Sequence, residues 1–286
     1  MANLKNIQSQ IKSVSSIQKV TKAMKMVAAA KLKRAQERME KARPYSERMQ
    51  NLISHFLIDT DAEILPLLKP RSVIKKYGLL IITSDRGLAG SFNSNIIKKA
   101  EEEIDKLGKE NVILLCIGKK CYEYFKNRNY EIDYSYAETW NELNYNQAIT
   151  IGDGLVSSYL NNTFDSLSIV FNYFKNVGSQ EVLYNQLLPI TFDKTEATQF
   201  NDIIYEPSKS QIIKSLIPRF FTTQVWQCLL ESFASEQAAR MLAMDNATEN
   251  AKEMIGDLKL KFNKARQTAI TTEMLEIVGG AEALSN

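Results

Sequence analysis

The sequence predicts an α/β fold combined with a long antiparallel α-helical coiled coil. Helix breakers are the first observation: of 11 glycines, eight lie between Gly78 and Gly178, and the first 77 residues contain none. No proline follows Pro218. The second observation is a change in apolar pattern, from steps of three and four near both ends to continuous apolar runs in the middle. We therefore expect two terminal helices that form a shaft, with a central domain inserted between them.

The N-terminal segment, residues 1–60, is predicted to be one long helix of the shaft. From about Leu4 to Leu57 the only proline is Pro44, and about 54 helical residues would extend about 80 Å. Apolar residues at steps of three and four place a stripe on one helix face. The predicted stripe consists of Leu4, Ile7, Ile11, Val14, Ile17, Val20, Met24 and Val27.

The C-terminal segment, residues 208–286, is predicted to supply the second helix, from about Pro218 to Val278. Ala239, Ala243, Ala247 and Ala251 recur every four residues, and small side chains on one face let another helix approach closely. A narrow apolar seam with a charged remainder favours a coiled coil. Several shorter helices in a compact bundle remain the alternative. The predicted seam includes Val225, Leu229, Phe233, Met241, Met244, Met254, Leu258, Phe262 and Ala265.

The central segment, residues 75–195, alternates buried strands with helices, which indicates a Rossmann-like α/β domain with a mostly parallel sheet. Strands are predicted at 77–83, 111–117, 167–174 and 182–190. Helices are predicted at 95–107, 119–127 and 145–160. Only residues 175–180 separate the last two strands, so these are expected to form an antiparallel hairpin at the sheet edge.

The turn after the first strand is the first candidate for a site. Residues 84–90 contain two glycines and precede a helix, where a Rossmann phosphate loop would lie. The spacing is neither Gly-x-Gly-x-x-Gly nor a P-loop. We therefore interpret Asp85, Arg86, Gly87 and Gly90 as a structural turn or a surface for a protein partner. The carboxylates of residues 101–103, on the next helix, are expected to form a solvated face.

No combination of residues indicates catalysis, a cofactor or a metal site. The cysteines are interpreted as reduced structural thiols, and no apolar run is long enough for a membrane span. The N-terminus lacks the features of a signal peptide.

Charge is distributed unevenly, because residues 1–57 hold 12 Lys or Arg and 3 Asp or Glu, whereas residues 58–207 hold 15 and 21. A basic helix favours an acidic partner: nucleic acid, anionic membrane or an acidic protein surface. Two other hypotheses stay open from composition alone, a nucleic-acid-binding coiled coil and an α/β enzyme with helical arms.

Four strings identify a family resemblance. They are IKSVSSIQKVTKAMKMVAAAK at 11–31, SDRGLAG at 84–90, SEQAARMLAMDNATENA at 235–251 and ITTEMLEIVGGAEA at 270–283. In this order, and over the whole chain, they resemble the gamma subunits of F-type ATP synthases. Ala89-Gly90-Ser91 stands where that family commonly has Cys-Gly-Gly. The chain begins at the helix and lacks a chloroplast-type cysteine insertion, which favours the bacterial type.

The resemblance implies a non-catalytic rotor stalk without cofactors. Its implied partners are the alpha and beta subunits of the catalytic ring, the epsilon subunit and the membrane c-subunit ring, with no nucleic acid. It would lie peripherally on the cytoplasmic face of the bacterial inner membrane and transmit torque between the proton-driven c-ring and the catalytic ring. Met24, Lys25, Arg266, Gln267 and Thr271 match positions that contact beta. Tyr205 and Glu206 match the foot on the c-ring.

Overall fold

Two long helices begin and end the chain in the computed structural model, which describes residues 2–57, 66–137, 143–191, 206 and 208–285. Helix α1 spans Ala2–Leu57 and helix α5 spans Lys209–Ser285. The predicted N-terminal helix is thus confirmed. The prediction that the second helix starts near Pro218 is wrong, since α5 begins nine residues earlier. Ser208 accepts the Gln211 N–H at that end, as N-cap residues do.

Pro218 is tolerated inside α5 because the helix surface around it is buried. Ile213, Ile217, Phe220 and Phe221 are each at most 2% exposed. Steps of three and four put these side chains on one face, so their burial offsets the backbone hydrogen bond that proline removes.

The central sheet has five strands in the order β3-β2-β1-β4-β5. The strands are β1 (Tyr77–Ile82), β2 (Val112–Ile117), β3 (Ile132–Tyr136), β4 (Ser166–Asn176) and β5 (Ser179–Leu188). The β1–β2, β1–β4 and β2–β3 pairs are parallel, and β4–β5 is antiparallel. This confirms the mostly parallel sheet and the hairpin at its edge.

Strand β3 was not predicted. Its side chains alternate between half-buried and exposed, unlike the continuously buried β2. The alternation of Ile132, Tyr134 and Tyr136 with polar residues is the signal that could have identified it. The segment is short and its tyrosines are amphipathic, so the pattern is weak.

Three helices connect the strands: α2 (Phe92–Leu107), α3 (Lys119–Lys126) and α4 (Tyr145–Leu160). Helix α4 has the predicted bounds, and Asn144 and Gln147 form a capping box at its start. Helices α2 and α3 pack on β1 and β2 around one apolar cluster that includes Leu79, Ile96, Leu114 and Phe125.

The expectation of a solvated face at residues 101–103 is wrong for Glu103. Glu103 is only 8% exposed. Its Oε1 accepts hydrogen bonds from Lys99 Nζ at 2.7 Å and from Lys106 Nζ at 2.8 Å. Two cations make burial of this carboxylate tolerable. They also hold the pKa of Glu103 below its usual range: the Lys106 hydrogen bond contributes most, then that of Lys99.

The chain divides into two compact units. The terminal unit comprises Met1–Ala28 and Met241–Asn286, and the central unit comprises Ala29–Arg240. In the central unit, Ser46 Oγ of α1 donates to Gln227 Oε1 of α5 at 3.0 Å. The predicted division into 1–60, 75–195 and 208–286 stays a prediction.

Within the terminal unit, the seam between the helices follows a strict seven-residue repeat. On α5 the repeat is formed by buried or half-buried residues, and Leu242, Ala243, Asp245 and Ala247 beside it are half-buried as well. Its members are Met241, Met244, Thr248, Ala251, Ile255, Leu258, Phe262, Ala265 and Ala269. On α1 they include Leu4, Ile7, Ile11, Val14, Gln18, Thr21, Lys25 and Ala28. Alternate steps of three and four keep a seam facing its partner, as in a left-handed coiled coil.

The predicted stripe on α1 is therefore wrong at three of its four positions beyond Val14. Ile17, Val20 and Val27 are 52%, 58% and 57% exposed, whereas Met24 is half-buried, as Ile11 and Val14 are. Successive steps of three, from Ile11 to Val20, drift around the helix away from the seam. Met254 of α5, also predicted in the seam, is exposed.

Candidate functional site

Polar contacts occupy part of the seam in the terminal unit. Thr21 Oγ1 lies 2.8 Å from Thr248 Oγ1, and Lys25 Nζ donates to Asp245 Oδ1 at 2.5 Å. Moving along α1 from Thr21 to Lys25 corresponds to moving back along α5 from Thr248 to Asp245. The two helices are therefore antiparallel here. Lys25, predicted to meet an acidic partner, already has an acidic partner within the chain.

Apolar side chains lie on the outer surface of the same stretch of α1. Ile17, Val20, Met26 and Val27 are exposed, while Gln18, Thr21 and Lys25 occupy the seam. This is the reverse of the usual arrangement, in which apolar residues fill the seam. Exposed lysines flank the apolar residues: Lys12, Lys19 and Lys22. An apolar, lysine-bordered surface suits a protein partner with acidic and apolar side chains.

The last part of α5 extends beyond α1. Both helices rise 1.5 Å per residue, so the start of α1 at Ala2 lies opposite about residue 267, counting from the Thr21–Thr248 contact. Burial agrees with this, because Ala269 is half-buried whereas residues 270–281 are all exposed. The exposed segment carries large apolar side chains: Ile270, Met274, Leu275, Ile277 and Val278. We call residues 270–281 the single-helix tip.

The turn at residues 84–90 is fixed from several sides in the central unit. Ser84 Oγ donates to Arg86 O at 2.6 Å, and Asn93 Oδ1 accepts the Ser84 N–H at 2.9 Å. Asp85 Oδ1 accepts the Lys119 N–H at 2.9 Å. Leu88 and Gly90 have φ values of 64° and 57°, the left-handed region that glycine adopts readily. These contacts support the structural-turn interpretation.

Two buried carboxylates of α5 face the sheet and α1 in the central unit. Glu231 Oε2 accepts the Phe174 N–H at 3.0 Å, and Glu236 binds Arg240. Burial is the main influence and raises the pKa of both groups. The Phe174 hydrogen bond opposes the shift at Glu231, and Arg240 opposes it at Glu236.

Known proteins match this chain over nearly its whole length. The family model described as ATP synthase matches residues 3–284. The chain is 45% identical over 300 residues to the ATP synthase gamma chain of Chloroherpeton thalassium, covering 99% of each chain. It is also 45% identical over 292 residues to that of Chlorobium chlorochromatii, covering 100% of each.

The chain belongs to the ATP synthase gamma-chain family.

A solved structure of a mitochondrial ATP synthase central stalk and c-ring, from Tetrahymena thermophila, is similar to it. The identity is 26% and the TM-score 0.62, over 80% of this chain and 99% of that one. A chain of the Euglena gracilis mitochondrial ATP synthase shares the fold at 15% identity, with a TM-score of 0.70 over 99% of this chain and 95% of that one.

The predicted contact residues of this gamma-chain family member fall into separate places. Met24, Lys25, Arg266, Gln267 and Thr271 are all in the terminal unit, and the last three are exposed on α5. The turn residues Asp85, Arg86, Gly87 and Gly90 lie in the central unit. Glu206 is exposed, whereas Tyr205 lies outside the described residues.

Sequence reasoning missed two surfaces, the outward apolar residues of α1 and the apolar tip of α5. Assigning a seven-residue repeat to α1 would have left Ile17, Val20 and Val27 off the seam. The tip residues carry no such signal by themselves, since their exposure follows from where α1 begins.

Neither a metal-binding cluster nor a membrane-spanning helix occurs in the described ranges. No group of three or more His, Cys, Asp or Glu side chains suited to a metal ion occurs within them. None of their helices is long and apolar enough to cross a membrane. Cys116 and Cys121 are buried as free thiols, and Cys228 is a partly buried one.

Proposed function

We propose that this chain is the rotating central shaft of an F-type ATP synthase and carries no catalytic site of its own. The single-helix tip is the observation that supports this most strongly. A single helix with Ile270, Met274 and Leu275 exposed would be poorly stable in water. An enclosing apolar collar would bury these side chains, and a ring of alpha and beta subunits can provide one.

The outer surface of α1 supplies a second contact of different chemistry. Its exposed apolar side chains and lysines fit a loop that carries acidic and apolar residues. We assign this loop to beta, and it would reach Met24 and Lys25. Exposed ion pairs are individually weak, so such a contact can form and break as the shaft turns. Arg266 and Gln267, just before the single-helix tip, and Thr271, within it, would also meet beta.

Coupling then follows from the asymmetry of the helices. Each beta subunit would meet a different side of the shaft in turn, and a shaft that contacts one state of beta better than another shifts that subunit toward it. The same differential contact operates in synthesis and in hydrolysis.

The remaining partners belong to the foot of the rotor. We assign the segment around Tyr205 and Glu206 to contact with the membrane c-ring, and place epsilon beside the central domain. The protein would be peripheral, on the cytoplasmic face of the bacterial membrane. The three-part division into 1–60, 75–195 and 208–286 would separate the two shaft helices from the domain above the c-ring.

The test is assembly of the full chain with its own alpha and beta subunits, followed by ATPase assay and observation of rotation. In a tip variant, Ile270, Met274, Ile277 and Val278 are changed to Ser. We expect the fraction of this chain that stays bound in the alpha–beta ring to fall at least tenfold. A matched variant with Thr268, Thr272 and Glu273 changed to Ser should be retained like the parent.

Two outcomes would overturn the proposal. One is that the parent chain neither enters the alpha–beta ring nor supports rotation. The other is that it binds DNA with strong salt dependence and brings down no ATPase subunits, which would favour the nucleic-acid hypothesis instead.

A further inference from the structure

The guanidinium of Arg240 bridges α5 and the turn at residues 84–90. Nη1 donates to Gly87 O at 2.7 Å, and Nε donates to Glu236 Oε1 at 2.9 Å. Nη2 also donates to Glu236 Oε1. The side chains of Arg240 and Glu236 are 12% and 3% exposed. Arg240 is the last residue of the central unit before α5 continues into the terminal unit.

Neighbouring contacts place this stretch of α5 over the carboxyl edge of the sheet. Ser235 Oγ donates to Asn172 O of β4 at 3.3 Å, and Asn172 Nδ2 donates to Phe92 O at the start of α2 at 3.5 Å. In the strand order, β1 lies between β2, reached through α2, and β4. That is the topological switch point, where open α/β sheets bind their ligands.

The polarity of the turn is the reverse of a phosphate loop. A phosphate loop directs backbone N–H groups toward an anion, whereas here the Gly87 carbonyl accepts from a cation of the same chain. We infer that Arg240, held by Glu236, is the internal ligand of this turn and the positioning residue that ties α5 to the sheet at the switch point.

This role extends the proposed function, and its part in transmitting force rests on that proposal. If the chain is a shaft, force applied along α5 reaches the sheet partly through Arg240 and the turn. The turn directly follows β1 in the chain, and Asn93 and Asp85 tie it to α2 and α3. A planar guanidinium forms this bridge in a fixed geometry, which a lysine ammonium cannot reproduce.

The first test uses the full chain alone. We expect Arg240→Gln to raise the amide hydrogen-exchange rates of residues 84–90 at least tenfold. Arg240→Lys should give an intermediate increase, and it remains informative if the Gln variant fails to fold. The matched control is Arg219→Ala, an exposed arginine of α5 in the same unit, and it should leave exchange in the turn unchanged. Equal exchange in the parent and both Arg240 variants would overturn the inference.

The second test uses the assembled, membrane-bound enzyme. Arg240→Lys should keep ATP hydrolysis within about twofold while the number of ions pumped per ATP falls at least threefold. A parallel fall of hydrolysis and pumping would indicate general damage and contradict the positioning role. If the parent chain fails to support hydrolysis at all, the proposed function fails, while the exchange result still decides whether Arg240 holds the turn.

Discussion

Lys25 Nζ lies 2.5 Å from Asp245 Oδ1, which joins two residues 220 positions apart in the chain. Both side chains remain substantially exposed, at 39% and 44%. Water and salt therefore screen the pair, and its contribution to stability is small. The pair matters more for recognition, because it holds a lysine of the proposed beta contact close to the shaft.

Asp245→Asn should release Lys25 without unfolding the chain. We expect the free energy of unfolding in urea to change by less than about 1 kcal/mol, as is usual for exposed ion pairs. Affinity for the alpha–beta ring at low salt should rise two- to fivefold, since the ammonium is free for an acidic partner. Glu249→Gln, which removes the exposed Lys252–Glu249 pair, is the control. A loss of more than about 2 kcal/mol would mean that the pair is structural.

The contact between α4 and α5 in the central unit should be sensitive to one methyl group. A Cβ on Gly152 would lie 2.9 Å from Thr222 Oγ1 and 3.5 Å from Thr222 Cα. That hydroxyl donates to Pro218 O at 3.0 Å, so moving it costs a hydrogen bond. We expect Gly152→Ala to destabilise by about 1–2 kcal/mol, even though alanine favours helix.

Gly154, two residues further along α4, is the matched control. The nearest atom to its Cβ would be Tyr134 Cε2, at 3.8 Å. Gly154→Ala should stabilise by about 0.5–1 kcal/mol through helix propensity alone. Urea denaturation of both variants measures the difference. If both substitutions stabilise equally, the α4–α5 contact is not close-packed at Thr222.

The accuracy of sequence-based prediction differed between elements for physical reasons. Strands β1 and β2 were found because each is a continuous run of apolar residues, a pattern that indicates a buried strand. Strand β3 was missed because its side chains are only half-buried or exposed. The predicted α1 stripe was wrong at Ile17, Val20 and Val27 because these apolar residues lie on the outer surface. Polar residues, Thr21 and Lys25, occupy the seam there instead. An apolar pattern predicts that side chains are buried, but in an assembly a partner chain can bury them instead of the chain's own fold.

The predicted contact residues could not be derived from this chain's pattern at all. Arg266 and Gln267 are ordinary exposed helix residues, and only the resemblance singled them out. Arg240, in contrast, lies within the string at 235–251 that carries the resemblance. Its hydrogen bond to Gly87 could be found only in the folded structure, because 153 residues separate the two.

Asp165 should be a strong stabilising residue of the central unit. Its Oδ1 accepts from Arg71 Nη1 at 2.7 Å, and its Oδ2 accepts the N–H groups of Lys75 and Lys76. Burial raises the pKa of Asp165, but these hydrogen bonds outweigh it and leave the pKa below its usual value. Asp165→Ala would leave Arg71 Nη1 and two backbone N–H groups without this acceptor.

We expect this change to cost about 2–4 kcal/mol, given the magnitudes for charged and unsatisfied hydrogen bonds. Urea denaturation at pH 7 gives the value. Asp153→Ala, at an exposed position of α4, should change stability by less than about 0.5 kcal/mol. A loss at Asp165 no larger than at Asp153 would contradict the assigned hydrogen bonds.

Glu103 should make part of the free energy of unfolding of the central unit depend on pH in the acidic range. Lys106 and Lys99 lower its pKa in the folded protein, while an unfolded chain gives a glutamate pKa of about 4.3. As pH falls, Glu103 therefore takes up its proton in the unfolded state first. The stabilisation from its contacts with Lys99 and Lys106 is complete above about pH 4.3 and is lost as pH drops through the pKa of Glu103 in the folded protein. Glu103→Gln removes this contribution, so its stability deficit should be constant from about pH 7 to pH 5 and should shrink below about pH 4.

The control for this measurement is Glu102→Gln. Glu102 is half-exposed, and its Oε2 is 4.0 Å from Lys99 Nζ, so its effect should be small at every pH. Denaturant unfolding of the parent and both variants from pH 7 to pH 3 provides the comparison. A Glu103→Gln deficit that grew as the pH fell would reverse the assigned direction of the pKa shift, and would mean that burial of the carboxylate dominates over its two lysines.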